Sequence, residues 1–274
     1  MNDRLKQTTL IIAGHGSSKS PNMGRPARLH AQWIKDQNIF ADVKTAFWKE
    51  ETFLQDALED VDTPEVVVVP NLACSGFINK VVIPREMGLD GLLTRRNGQT
   101  IHLCQPVGEH PNLAALMAER LHQVMEDQQL SPSETTVFVV AHGNPDPDRP
   151  ASHDSAVMLA TRTYSHFPVQ AMLPAFLEEK PFLKNWEKRV NTPNVIVLPF
   201  MIAAGTHGAR DIPEFLGIEL SPQQEIDLHE NGRPTGPFEA APGRLIWLIQ
   251  AIGSHPRMAE FIVDIAREKL ASQD

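Results

Sequence analysis

Strands alternating with helices, written twice, make this chain an α/β protein: two duplicated half-domains, each an open, mostly parallel sheet flanked by helices. Three internal matches carry that reading. TTLIIAGHGSS (Thr8 to Ser18) returns as TTVFVVAHGNP (Thr135 to Pro145) after 127 residues. AFWKEETFL (Ala46 to Leu54) returns as AFLEEKPFL (Ala175 to Leu183) after 129. VVVVPNLACSGFINKVVIPREMGL (Val66 to Leu89) returns without a gap as VIVLPFMIAAGTHGARDIPEFLGI (Val195 to Ile218), again after 129.

Each half opens on a short apolar, β-branched run, Leu10 to Ala13 and Val137 to Ala141, of the kind buried on both faces of a parallel sheet. Helices are expected at 25–37 and 152–166, and second strands at 43–47 and 169–175. FLQDALED and FLKNWEKRV then space their apolar residues helically. Third strands fall at 66–69 and 195–198, and fourth strands at 100–106 and 244–251. Each fourth strand runs into G-x-H-P (Gly108 to Pro111, Gly253 to Pro256) and a long amphipathic helix, 111–126 and 256–270. Proline suits the first helical turn, where its missing N–H has no partner to lose. The halves are divided at 1–130 and 131–274, across the polar linker Gln128 to Glu134. The repeat breaks once: after Gly217 the second half carries about 16 extra residues, and the polar stretch 219–242 is expected to be a lid or binding loop.

With 274 residues and 42% hydrophobic content, each half can bury a core of its own. A net charge of −9 argues against nucleic acid as the partner, and means that an anionic ligand needs a local patch of donors. Cys74 and Cys104 are the only cysteines and lack C-x-x-C spacing, so reduced thiols in a cytoplasmic protein are expected. Residues 1–7 hold no apolar stretch of the secretory kind, and no apolar run approaches the roughly 18 residues of a membrane span.

Ligands of open α/β sheets gather at the carboxyl ends of the strands. In the second half three polar residues meet that rule: His142 after the first strand, Glu178 after the second, and His207 between Gly205 and Gly208 after the third. Neutral imidazole binds Fe, Co, Ni, Cu and Zn, and two such ligands leave coordination positions open. A carboxylate beside them can take up protons. Singly, each has a plainer role: a turn histidine, a solvated helix-start glutamate, a loop residue. The first half keeps His15 opposite His142 but has Lys49 opposite Glu178 and Ile78 opposite His207. A structural requirement would apply to both copies, so the intact trio marks the second half as the site. His15, Thr206 and Arg210 are further candidates, as donors to substrate carboxylates. His110 and His255 occur in both copies and read as residues that start helices. Asp227, His229 and Glu230 could bind metal but fit a polar loop better.

AHGNP with His142, AFLEEKPFL with Glu178, LPFMIAAGTHGARDIP with His207 and the G-S-H-P before the last helix together resemble the class II chelatases. The likeness is to the CbiX-type sirohydrochlorin chelatases of cobalamin and sirohaem biosynthesis, in their two-domain form, and it covers nearly the whole chain. The resemblance implies a chelatase-like fold and ATP-independent insertion of Co²⁺, Fe²⁺ or sometimes Ni²⁺ into a tetrapyrrole, with the metal as substrate and no organic cofactor. It implies that His142 and His207 hold the metal and that Glu178 helps remove the two pyrrole protons. Two fused halves could replace a dimer, so a monomer is expected. A non-catalytic metal carrier, a binding module without activity and, more remotely, a histidine phosphohydrolase are the competing readings.

Overall fold

The computed structural model describes residues 2–18, 23–146, 148–202 and 210–272. It contains two five-stranded sheets of the same design. The first joins β1 (Thr8–Gly14), β2 (Asp42–Phe47), β3 (Glu65–Pro70), β4 (Leu93–Arg96) and β5 (Gln99–Leu103) in the order β2-β1-β3-β5-β4. The second joins β6 (Thr135–Ala141), β7 (Ala171–Phe176), β8 (Asn194–Pro199), β9 (Thr235–Ala241) and β10 (Arg244–Leu248) in the order β7-β6-β8-β10-β9. In each sheet the first four neighbours run parallel and the edge strand, β4 or β9, is antiparallel. The expected α/β architecture of two duplicated, mostly parallel sheets is thus the one observed. β1 and β6 are buried at every residue, as their apolar runs require of strands covered on both faces.

Strand order decides where a ligand can sit. The chain goes from β1 to β2 on one side and then to β3 on the other, so the switch in direction falls beside β1, and likewise beside β6. In open α/β sheets that switch point, at the carboxyl ends of the strands, is where ligands bind.

Eight helices accompany the strands among the described residues: α1 (Asn2–Leu5), α2 (Arg25–Asp36), α3 (Ile83–Met87), α4 (Leu113–Asp127), α5 (Ala151–His166), α6 (Ile212–Leu216), α7 (Pro222–His229) and α8 (Met258–Ala271). None is long and apolar enough to cross a membrane.

Two expectations are corrected. FLQDALED and FLKNWEKRV form short 3₁₀ turns, Leu54–Asp56 and Leu183–Arg189, the latter kinked at Asn185. They bury Leu54, and Leu183 with Trp186, in the two cores. The stretch 219–242 is not one loop. It holds α7, opened by a capping box in which Ser221 and Gln224 satisfy each other's amides, and then β9. β9 matches β4, a strand absent from the expected elements, so only the segment around α7 lacks a counterpart. By packing, the chain forms two compact units, 1–110 with 256–274, and 111–255. Each G-x-H-P is where the chain leaves one unit for the other. α8 therefore packs on β3 and α2 of the first unit, and α4 packs on α5 of the second. The motif's glycine is required by space: a Cβ on Gly108 would stand 2.2 Å from the carbonyl oxygen of Ala73, and one on Gly253 2.0 Å from that of Ile202. In the first unit His110 stacks on Phe261 of α8, centroids 4.1 Å apart, and burial lowers its pKa.

Each unit has its own core. In the first, Ile11, Val66, Val68, Val82 and Ile101 pack with Leu54 and Leu103. In the second, Phe138, Val140, Trp186, Val195 and Val197 pack with Ile212 and Leu248.

Candidate metal centre at the strand ends of the second half

His142 follows the last residue of β6 and is exposed. Its Nδ1 lies 3.0 Å from the carbonyl oxygen of Gly143. A carbonyl only accepts, so Nδ1 carries the proton and Nε2 of the neutral ring keeps its lone pair. This is the arrangement by which metal-binding histidines are commonly held. Gly143 is left-handed, at φ 80°, which an L side chain adopts only with strain.

Glu178 stands at the tip of a tight loop that closes on itself, since the N–H of Phe176 donates to the carbonyl of Pro181 at 3.1 Å. The loop is latched to the histidine. The N–H groups of Leu177 and Glu178 both donate to the carbonyl of His142, at 3.2 and 3.0 Å. Imidazole and carboxylate are therefore carried by backbone segments hydrogen-bonded to each other. Glu178 is exposed.

The third member, His207, and the candidate donor Thr206 lie outside the described residues. Among the described residues no three histidine, cysteine, aspartate or glutamate side chains are grouped to hold a metal ion. Arg210 is exposed and lines an open groove of about 610 Å³ with Glu214, Glu219, Glu225 and Leu220. Three carboxylates on that groove make its field poorer for an anion than Arg210 alone suggests.

The first half repeats the scaffold with other chemistry. Nδ1 of His15 meets the carbonyl of Gly16 at 2.6 Å, and the N–H of Lys49 donates to the carbonyl of His15 at 2.9 Å. Lys49, opposite Glu178, holds its ammonium 4.3 Å from the ring centre of Trp48, and Trp48 meets His15 edge-on at 5.5 Å. Ile78, opposite His207, begins a π-helical turn over Ile78–Val82 and packs against the core. Burial pushes the thiol of Cys74 up to about 11, which keeps it protonated near pH 7.

One residue of the site neighbourhood was overlooked in the sequence. Glu179 accepts the N–H of Asn144 at 3.1 Å, bracing the loop that bears His142. Glu50 does the same for Ser17 at 3.3 Å. The shared second acid of KEE and EEK was the available signal.

A protein with two such sheets and an imidazole–carboxylate rim falls among the chelatase-like α/β proteins. The CbiX family model matches residues 9–124 and 136–269, and the chain belongs to that family. A probable sirohydrochlorin cobaltochelatase of Halobacterium salinarum is 28% identical over 277 residues, covering 94% of this chain and 90% of that one. Among solved structures, SirB from Bacillus subtilis with Fe³⁺ superimposes with a TM-score of 0.71 at 17% identity, covering 97% of this chain and 96% of SirB. DR2241 from Deinococcus radiodurans, a multi-domain protein with structural similarity to chelatases, gives 0.70 at 22% identity over 94% of this chain. This chain spans about half of that protein, 54% of its length.

Proposed function

We propose that this chain is a metal chelatase that inserts Co²⁺ or Fe²⁺ into sirohydrochlorin without ATP, working from His142, Glu178 and His207. The observation that carries the proposal is the latch between His142 and Glu178 at adjacent strand ends. Membership of the CbiX family and the cobaltochelatase name of the halobacterial relative support the reaction class.

The chemistry follows from what the reaction must balance. A divalent cation exchanges its ligands for four ring nitrogens, and two pyrrole N–H protons leave. An open two-histidine site releases its metal more readily than a closed tetrahedral cage. Nε2 of His142 can bind the ion as the neutral tautomer, and Glu178, solvent-facing beside it, can carry a proton away. Thr206 and Arg210 would supply donors for the carboxylates of the macrocycle. In this reading the chain acts as a monomer in the cytoplasm, with the metal as substrate and no organic cofactor.

The test is anaerobic mixing of the purified chain with sirohydrochlorin and Co²⁺ or Fe²⁺, followed by absorbance. Conversion well above the spontaneous rate is expected. Stoichiometric metal binding without acceleration would replace the enzyme by a metal carrier.

A further inference from the structure

The doubled acid of AFLEEKPFL is divided between two directions. Glu178 faces solvent, while Glu179 turns back onto the loop after β6. One carboxylate oxygen of Glu179 accepts the N–H of Asn144 at 3.1 Å, and the other lies 3.5 Å from Nδ1 of His153 on α5. His153 is itself seated: its ring stacks on Phe176, the last residue of β7, with centroids 4.7 Å apart and planes 15° from parallel. Ser152, next to it, accepts the N–H of Gly143 at 3.2 Å. A Cβ on Gly143 would come within 2.8 Å of Cγ of Glu179, so the loop and the carboxylate are in full contact. A continuous path of packed groups thus runs from β7 and α5 to the two residues after His142.

We propose that Glu179, seated by His153, is a positioning residue for His142. Clamping Gly143 and Asn144 fixes the carbonyl that receives Nδ1–H, and through it the direction of Nε2. The inference rests on the reading of His142 as a metal-binding residue. The first half shows what the clamp does without a site: Glu50 takes the N–H groups of Ser17 and Gly24, and pairs at 2.6 Å with Arg28, which lies over Phe47. There the same brace holds a loop that also receives the N–H of Lys49. Groups that orient a metal-binding histidine typically change affinity or activity by about 10- to 100-fold when removed.

The experiment uses the full chain and three readouts: Co²⁺ affinity by visible absorption, insertion into sirohydrochlorin, and amide hydrogen exchange at 143–144 and 16–18. Glu179→Ala is expected to speed exchange at 143–144 and weaken Co²⁺ binding by about 10- to 100-fold. Glu179→Gln, which keeps an acceptor for the Asn144 N–H, should recover most of the affinity, and His153→Arg, copying Arg28, should retain it. Glu50→Ala should speed exchange at 16–18 and lower the melting temperature without changing Co²⁺ affinity. Wild-type Co²⁺ affinity in Glu179→Ala despite faster exchange would overturn the proposal, as would equal losses in Glu50→Ala. A wild-type chain that binds no Co²⁺ would instead remove the functional reading, and with it any metal-positioning role for a clamp that exchange still detects.

Discussion

The two strand-end rims share a backbone and differ in what they hang on it. At both, a histidine after the first strand gives its Nδ1 proton to the next glycine's carbonyl, and a glutamate after the second strand braces that loop. At both, the residue before that glutamate donates its N–H to the histidine's carbonyl. The side chain at that position is Lys49 in one and Glu178 in the other. After the third strand the contrast sharpens. In the first half Glu109 takes both the N–H and the hydroxyl of Ser75, at 2.6 and 2.8 Å, pinning the loop. The corresponding residues of the second half are Ser254 and Ala204, which cannot make that pair. The histidine and its brace are common to both rims, the Glu109–Ser75 pair belongs to the first alone, and the carboxylate of Glu178 to the second alone.

The comparison can be broken at its strongest point first. Glu178→Gln keeps the loop's shape and removes the base, so kcat for insertion should fall by about 10²-fold or more with little change in melting temperature. A rate unchanged by that substitution would move the proton acceptor elsewhere. The reverse experiment grafts the trio onto the degenerate rim. Lys49→Glu with Ile78→His should add a second, weaker Co²⁺ site, read as a change in binding stoichiometry, at some cost in stability because Ile78 packs on the core. No second site would mean that the two rims differ in more than these side chains.

Smaller effects sharpen the structural half of the comparison. Glu109→Ala leaves the Ser75 amide and hydroxyl without their partner and should cost about 1–2 kcal/mol in urea unfolding. It should leave Co²⁺ affinity at the second half's rim intact. The smallest effect concerns α7, which has no counterpart. Among the described residues, His229 on this helix has both ring nitrogens buried without a hydrogen-bond partner, and burial lowers its pKa below the ordinary 6.5. Because the folded pKa lies below the unfolded one, stability is complete above pH 6.5 and declines as pH falls through the lowered value. His229→Leu should abolish that decline and be neutral or slightly stabilising near pH 7, as seen by hydrogen exchange over 222–229. A loss of more than about 2 kcal/mol in this variant would show that the imidazole makes a needed contact.

The duplication, the buried parallel strands and the place of His142 were legible because they depend on local pattern: β-branched runs bounded by turn residues, and a matched offset. The exchange of α4 and α8 between units was not, because it is set by packing between segments far apart in sequence, such as His110 against Phe261. β4 was legible and missed. Asn97–Gly98 between Arg96 and Gln99 is a two-residue hairpin signal, with both residues at positive φ, 49° and 78°. The 3₁₀ turns over FLQDALED and FLKNWEKRV escaped because apolar spacing alone does not distinguish a single turn from a helix. Within the candidate site, the sequence marks Glu178 by contrast with Lys49. It also holds the evidence for Glu179, since Glu50 repeats it, but a residue shared by both copies attracts attention only once its bond to the His142 loop is seen.

The central claim is that the second rim works and the first does not. It is tested most directly by the initial rate of Co²⁺ insertion into sirohydrochlorin under anaerobic conditions, measured for His207→Ala, His142→Ala and His15→Ala. Either second-half substitution is expected to lower kcat by about 10²-fold or more, while His15→Ala retains it. A kcat that collapses in His15→Ala and survives in His142→Ala and His207→Ala would contradict the claim.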